Sequence, residues 1–191
     1  MKSSQRSLDD LYRPSEDTFL LLDSIESLGG RGFKRALEIG SGTGIVTEAL
    51  CRISREVYAV DISRNAVLET WRKLKSAGLE NISHIIEGDL LSMFREAPLF
   101  DLIVSNPPYL PLEGLGDKTV EGGIELIRKI IDASTSLITQ RGIILLVASS
   151  LTSNLDELIS YFNAKGLYSY IKMSRKLFFE EIVIIEATKE D

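Results

Sequence analysis

Basic character is what this chain most lacks. Its 191 residues carry 22 lysines and arginines against 28 aspartates and glutamates, a formal net charge of −6. Broad electrostatic binding of nucleic acid needs a basic footprint, so the balance disfavours it and leaves room only for a local basic patch. Cysteine and histidine occur once each, as Cys51 and His84. A lone cysteine makes no intramolecular disulfide, which points to a reducing, cytoplasmic setting, and so small a stock of thiol and imidazole weighs against a zinc site. The opening stretch Met1-Lys2-Ser3-Ser4-Gln5-Arg6-Ser7 has no apolar run behind its charges and does not read as a secretory signal. The apolar runs fall far below the ~20 residues that span a bilayer. Repeats and low-complexity tracts are also missing.

What is present suits a single globular domain over 1–191, with 1–30 as an amino-terminal segment and helix. Hydrophobic residues make up 44% and charged residues 26% of the chain, ordinary values for such a domain. The apolar pattern alternates between helix and strand. Residues 15–28 read as a helix, with Ser15 at its start and Glu16 and Asp17 at the positive end of its dipole. Further helices are expected over 44–53, from 63 to Gly78, over 124–138, and from 155 to Lys165. In the second of these, Val67, Thr70, Trp71 and Leu74 are assigned to the buried face. Strands are expected at 35–39, 56–61, 82–87, 100–105 and 142–148. Two more, at 167–173 and 179–187, follow each other without a helix, which favours an antiparallel pair. The implied architecture is α/β, a mostly parallel sheet with helices on both faces. Ligands of such sheets sit at the carboxyl ends of the strands, near the point where strand order reverses.

The first strand opens into Gly40-Ser41-Gly42-Thr43-Gly44, a turn that lets a ligand approach the backbone closely. It is not the dinucleotide fingerprint, which needs glycine where Ile45 stands, nor a phosphate-binding P-loop, since no Gly-Lys-Ser/Thr follows. Acids follow at successive strands. Asp61 ends the second strand, where a carboxylate can accept ribose hydroxyls. Asp89 follows the third strand, placed for an adenine amine, and Glu38 lies inside the first and needs a partner if buried. Phosphates would meet these carboxylates badly. An adenosine carrying a cationic tail would not, and S-adenosyl-L-methionine has that chemistry.

The fourth strand ends in Ser105-Asn106-Pro107-Pro108-Tyr109. Two prolines fix φ twice and remove two backbone donors, so the segment cannot continue the sheet. The Asn106 amide and the Pro107 carbonyl are left to accept hydrogen bonds from a planar NH2 group, with Tyr109 against its flat face.

Asn106-Pro107-Pro108-Tyr109 resembles the motif of class I S-adenosylmethionine-dependent methyltransferases that act on planar nitrogens. The resemblance implies a Rossmann-like sheet of seven strands in the order 3-2-1-4-5-7-6, strand seven antiparallel. The run from Tyr12-Arg13-Pro14-Ser15-Glu16-Asp17-Thr18 to Asp23 is similar to the opening of the HemK-type glutamine methyltransferases, in particular their archaeal and eukaryotic branch. Those members lack the amino-terminal helical domain of the bacterial enzymes, and the short stretch before the motif leaves no room for it here. The resemblance implies that Thr18, Glu38, Gly40, Ser41, Gly42, Asp61, Asp89, Leu90 and Asn106 bind the cofactor, whose product is S-adenosyl-L-homocysteine. It implies that Asn106, Pro107 and Tyr109 form the catalytic site for the substrate amide.

The implied acceptor is the glutamine of the Gly-Gly-Gln loop of a class-1 translation release factor. The alternative is the exocyclic amine of a base in RNA or DNA. The segment 110–124 departs from the family, since Glu121-Gly122-Gly123-Ile124-Glu125 matches its glycine-pair stretch only in part. Relatives of this type often pair with a small zinc-binding activator protein at the third-strand edge. Ile82-Ser83-His84-Ile85-Ile86-Glu87, with three isoleucines and one charge, suits such a partner.

Overall fold

The computed structural model describes residues 14–90, 93–108, 117–151 and 154–189, and for 117–122 the backbone course alone. In chain order the elements are α1 (Glu16–Glu26), β1 (Phe33–Ile39), α2 (Ile45–Cys51), β2 (Ser54–Asp61), α3 (Arg64–Ser76), β3 (Ser83–Glu87), β4 (Phe100–Ser105), α4 (Asp117–Leu137), β5 (Ile138–Ser149), α5 (Leu155–Ala164), β6 (Leu167–Lys176) and β7 (Glu181–Lys189). The strands form one seven-stranded sheet in the order β3-β2-β1-β4-β5-β7-β6. Strands β1 to β5 pair parallel, and β7 runs antiparallel to both β5 and β6. The sheet thus has the class I methyltransferase order expected from the resemblance. Among the described residues no helix is long and apolar enough to cross a membrane.

Side chains alternate across a strand with period two, and that alternation separates two cores. Leu37, Ile39, Ile103, Ile144 and Leu146 join Ile127, Ile130 and Ile131 of α4 and Phe162 of α5 on one face. Ala36, Leu102, Val104, Ile143 and Leu145 join Leu21 and Ile25 of α1, Leu50 of α2 and Leu74 of α3 on the other. The central strands bury both faces, which is why they read as continuous apolar runs rather than as alternating ones.

The structure departs from expectation in three places. Trp71, assigned to the core, is 46% exposed, and the Lys75 ammonium lies 4.7 Å from the centre of its ring. The buried stripe of α3 is Ala66, Thr70 and Leu74, at intervals of four residues. Gly44 comes so close to α3 at Thr70 that small residues are required there, and Trp71 lies about 100° further round the helix. Second, α4 begins well before residue 124 and runs through Gly122 and Gly123. Two helical glycines cost about 1 kcal/mol each, which the long apolar face downstream offsets. Third, Ile138 opens β5 instead of closing the helix. It pairs with Phe100, and a register shift before the Leu102–Ile143 pair absorbs the intervening residues.

Candidate functional site

Between β1 and β4 the strand order reverses: β2 and β3 follow to one side of β1, and β4 and β5 to the other. Ile39 and Ser105 pair across this boundary, so Gly40 and Asn106 each begin the loop one residue beyond it. The Ser105 hydroxyl donates to the Ile39 carbonyl at 2.9 Å and ties the two strand ends together. This is where an open parallel sheet offers a ligand crevice.

The glycine loop is held from below. Gly40 N donates to the Val60 carbonyl at 2.8 Å, and Ser41 N to the same oxygen at 3.2 Å. Gly40 has φ +85°, and a Cβ built on it would meet nothing within 4 Å. The backbone there faces open space, which is what close approach by a ligand requires. Gly44 serves a different purpose: at φ +74° a Cβ would lie 2.8 Å from Thr70 Cα, so this glycine lets α2 start against α3. Ser41 is buried, and its hydroxyl receives the Thr70 hydroxyl at 3.2 Å. Asp61 braces the loop, because its Oδ2 accepts from Gly42 N at 2.9 Å while its Oδ1 accepts from Ser63 N at 2.8 Å. The carboxylate expected to meet ribose therefore also fixes the loop beside it.

Glu38 is 4% exposed on the face of β1 that α2 covers. Burial is the main reason that its carboxyl is pushed up to about 8. Hydrogen bonds from the side chain and backbone of Thr47 pull it down, and the Asp61 charge raises it. Among the described residues this buried acid is influenced by a hydroxyl, an amide and a second acid, and by no cation that would hold it ionised. An ammonium group entering over the glycine loop would supply that cation.

Asp89 and Leu90 lie past β3. The loop is joined to β2 by Gly88 N donating to the Asp61 carbonyl at 2.9 Å. Asp89 is exposed, whereas Leu90, with φ +48°, packs against the core on the α4 side. Pro107 is buried and Pro108 exposed. Tyr109, with Tyr12, Arg13 and residues 110–116, lies outside the described residues.

Thr18 is buried in the first turn of α1, which sits over the end of β4. Its hydroxyl is 3.5 Å from Asn106 Nδ2. The same turn holds a residue that sequence reasoning treated only as a helix-dipole acid. Asp17 is 1% exposed, and its Oδ2 accepts from Asn106 Nδ2 at 3.2 Å. Its partner is 89 residues away in the chain, so no local pattern could reveal the pair. Arg175 of β6 clips α1 into place by pairing with Glu16 and, at 3.5 Å, with Asp23.

These positions thus gather into two linked groups. Glu38, Gly40, Ser41, Gly42 and Asp61 surround the turn after β1, while Thr18, Asp17, Asn106 and Pro107 lie at the end of β4.

The profile of the Methyltransferase small domain matches residues 15–167. The human protein Methyltransferase HEMK2 is 30% identical over 96% of this chain and 92% of its own. A putative protein N5-glutamine methyltransferase of Methanocaldococcus jannaschii is 30% identical over 93% of this chain and 91% of its own. Among solved structures, Mtq2 of E. cuniculi, in a complex with Trm112 described as responsible for methylation of the eRF1 translation termination factor, is 26% identical with a TM-score of 0.69. That match covers 95% of this chain and 99% of that one. YcgJ of Bacillus subtilis, at 16% identity and a TM-score of 0.72, shares the fold alone.

Proposed function

The chain belongs to the methyltransferase small-domain family, in its HemK branch, and from that premise we propose that it is an S-adenosylmethionine-dependent protein-(glutamine-N5) methyltransferase. Its substrate in this reading is the Gly-Gly-Gln loop of a class-1 translation release factor, and 1–191 works as one domain in the cytoplasm. The observation that carries the reading furthest is the Asn106 amide at the end of β4, whose nitrogen is engaged by Asp17. Its oxygen is the end left for a substrate, and an oxygen is what a donor NH2 group needs.

When bound, the cofactor supplies an electrophilic methyl group carried on a sulfonium. The chain's own residues do the rest. Glu38 takes the ammonium, the Gly40–Gly42 turn gives the ligand room, Asp61 takes the ribose and Asp89 the adenine amine. Leu90 and Thr18 border the same ligand. Asn106 Oδ1 and the Pro107 carbonyl each accept one N–H of the glutamine amide, which points the nitrogen lone pair away from them and toward the methyl carbon. Tyr109 packs on the flat face of the amide. Catalysis in this scheme is positioning and polarisation, without a strong base at the outset.

The edge position of β3 supports a further proposal, that a small activator protein adds a strand there. In this reading the partner is zinc-binding.

The test is a transfer assay with labelled cofactor, offering release factor, tRNA and DNA in parallel, with and without the activator co-expressed. Label on the glutamine of the Gly-Gly-Gln loop is the expected result. Label on tRNA or DNA alone would replace the acceptor with a base amine, and label on none of them would leave a cofactor-binding subunit.

A further inference from the structure

An asparagine amide has nearly the same shape with its oxygen and nitrogen exchanged, yet its two ends have opposite hydrogen-bonding character. If Asn106 turned its nitrogen to the substrate, donor would face donor and the acceptor role would be lost. Some neighbour has to choose the orientation. We propose that Asp17 is that neighbour, a positioning residue that acts on the substrate amide only through Asn106. The inference rests on the reading of Asn106 given above.

Four observations carry it. Asp17 is 1% exposed, although a helix dipole is served equally well by an exposed acid such as its neighbour Glu16. One oxygen of the carboxylate is fully committed within its own turn: Oδ1 accepts from Thr18 N at 2.6 Å, from the Ser15 hydroxyl at 2.8 Å and from the Thr18 hydroxyl at 3.3 Å. The other oxygen, Oδ2, accepts from Asn106 Nδ2 at 3.2 Å. The Thr18 hydroxyl donates its hydrogen bond to Asp17 Oδ1, so its oxygen presents lone pairs to Asn106 Nδ2, 3.5 Å away. A rotated amide would therefore set its oxygen against two oxygens in a buried site, where such a clash is poorly screened. A carboxylate cannot donate and so cannot tolerate the exchange.

The arrangement also has an electronic consequence. A charge-assisted bond to Nδ2 draws density through the amide toward Oδ1, which becomes a better acceptor for the substrate N–H. Positive character develops on the substrate nitrogen as the N–C bond forms and the C–S bond breaks with its electron pair going to sulfur. The strengthened acceptor matters most then, before the surplus proton passes from the nitrogen to water.

Asp17→Asn keeps size and removes the rule against donation. We expect kcat on release factor to fall ~10–100-fold, below the loss from removing Asn106 itself. Cofactor affinity by calorimetry should fall much less than kcat, because the substitution keeps an oxygen that accepts from Thr18 N and its hydroxyl. In an Asn106→Ala background the same substitution should cost less than about two-fold, since nothing remains for it to orient. An equal loss in both backgrounds, or an undiminished kcat, would overturn the proposal.

A readout without turnover decides the case independently. The Asn106 Nδ2 protons, assigned in nitrogen-15 spectra by their loss in Asn106→Ala, should exchange slowly in the wild type and quickly in Asp17→Ala. Free exchange in the wild type, or no change in the variant, would refute the orientation. A wild type that methylates none of the offered substrates would instead sink the proposed function, and the exchange rates would still judge Asp17.

Discussion

Binding of S-adenosylmethionine should release a proton, and Glu38 is where it comes from. Burial pushes this carboxyl up to about 8 from an ordinary 4.5. At neutral pH the ligand-free site therefore holds its proton about nine times in ten. An ammonium ion drawn over the glycine loop favours the charged carboxylate and returns its pKa toward the ordinary range. Binding should then expel ~0.9 proton at pH 7, read as a dependence of the calorimetric enthalpy on the ionisation heat of the buffer. Affinity should rise with pH, by about thirty-fold between roughly pH 5.5 and 7.0. That window lies below the ligand's own amine, which titrates near 7.7–8.0 and would confuse a measurement at higher pH.

The effect on stability runs the other way. Because the folded value is raised, the ligand-free protein takes up a proton on folding. No penalty exists below the ordinary 4.5, and stability is lost as pH climbs from there to about 8. Glu38→Gln keeps an acceptor for Thr47 and removes the penalty, so it should stabilise the ligand-free protein by up to ~3 kcal/mol at neutral pH and by nothing at pH 4. The same variant should bind the cofactor weakly and without proton release. A buffer-independent binding enthalpy in the wild type, or equal proton release in Glu38→Gln, would refute the reasoning.

Asn106→Ala should lower kcat by ~10²–10³ while circular dichroism stays close to wild type and melting falls modestly, because the buried Asp17 carboxylate loses its Nδ2 donor; near-normal turnover would remove the amide from the reaction. Asp61→Ala should weaken cofactor binding by about 1.5–3 kcal/mol in calorimetry, and an unchanged affinity would move the ribose site elsewhere. Some loss of stability should accompany it, since Gly42 and Ser63 lose their common acceptor. Gly40→Ala and Gly44→Ala should differ in kind. Both incur the left-handed backbone cost of ~1–2 kcal/mol. Only Gly44→Ala also drives a Cβ to 2.8 Å from Thr70 Cα, so denaturant melts should show it as the less stable. Gly40→Ala should keep more of its stability and lose cofactor affinity instead.

The amino-acid sequence by itself determined the elements, their order and the chemistry at the strand ends. Short apolar runs marked the strands, several of them bordered by glycine or proline, and the missing helix between the last two set their antiparallel pairing. Gly40-Ser41-Gly42, Asp61 and Asn106-Pro107 carry their meaning locally, because a tight turn, an acid at a strand end and two fixed φ angles need no distant partner to be recognised. Trp71 could not be placed in this way. Helical spacing puts it beside Thr70, but which flank of that stripe is covered depends on how closely Gly44 lets α2 approach α3. The state of Glu38 was equally hidden. Its charge follows from burial by α2 and from Asp61, and neither is fixed by position in the chain. Asp17 is the clearest instance. In sequence it is one of two acids in a first turn. Only when the apolar face of α1 packs Leu21 and Ile25 into the core does Asp17 become the buried acceptor of the Asn106 amide. Local propensity is read along the chain, whereas solvation and hydrogen-bond partnership are set by whichever segment the fold brings to the other side.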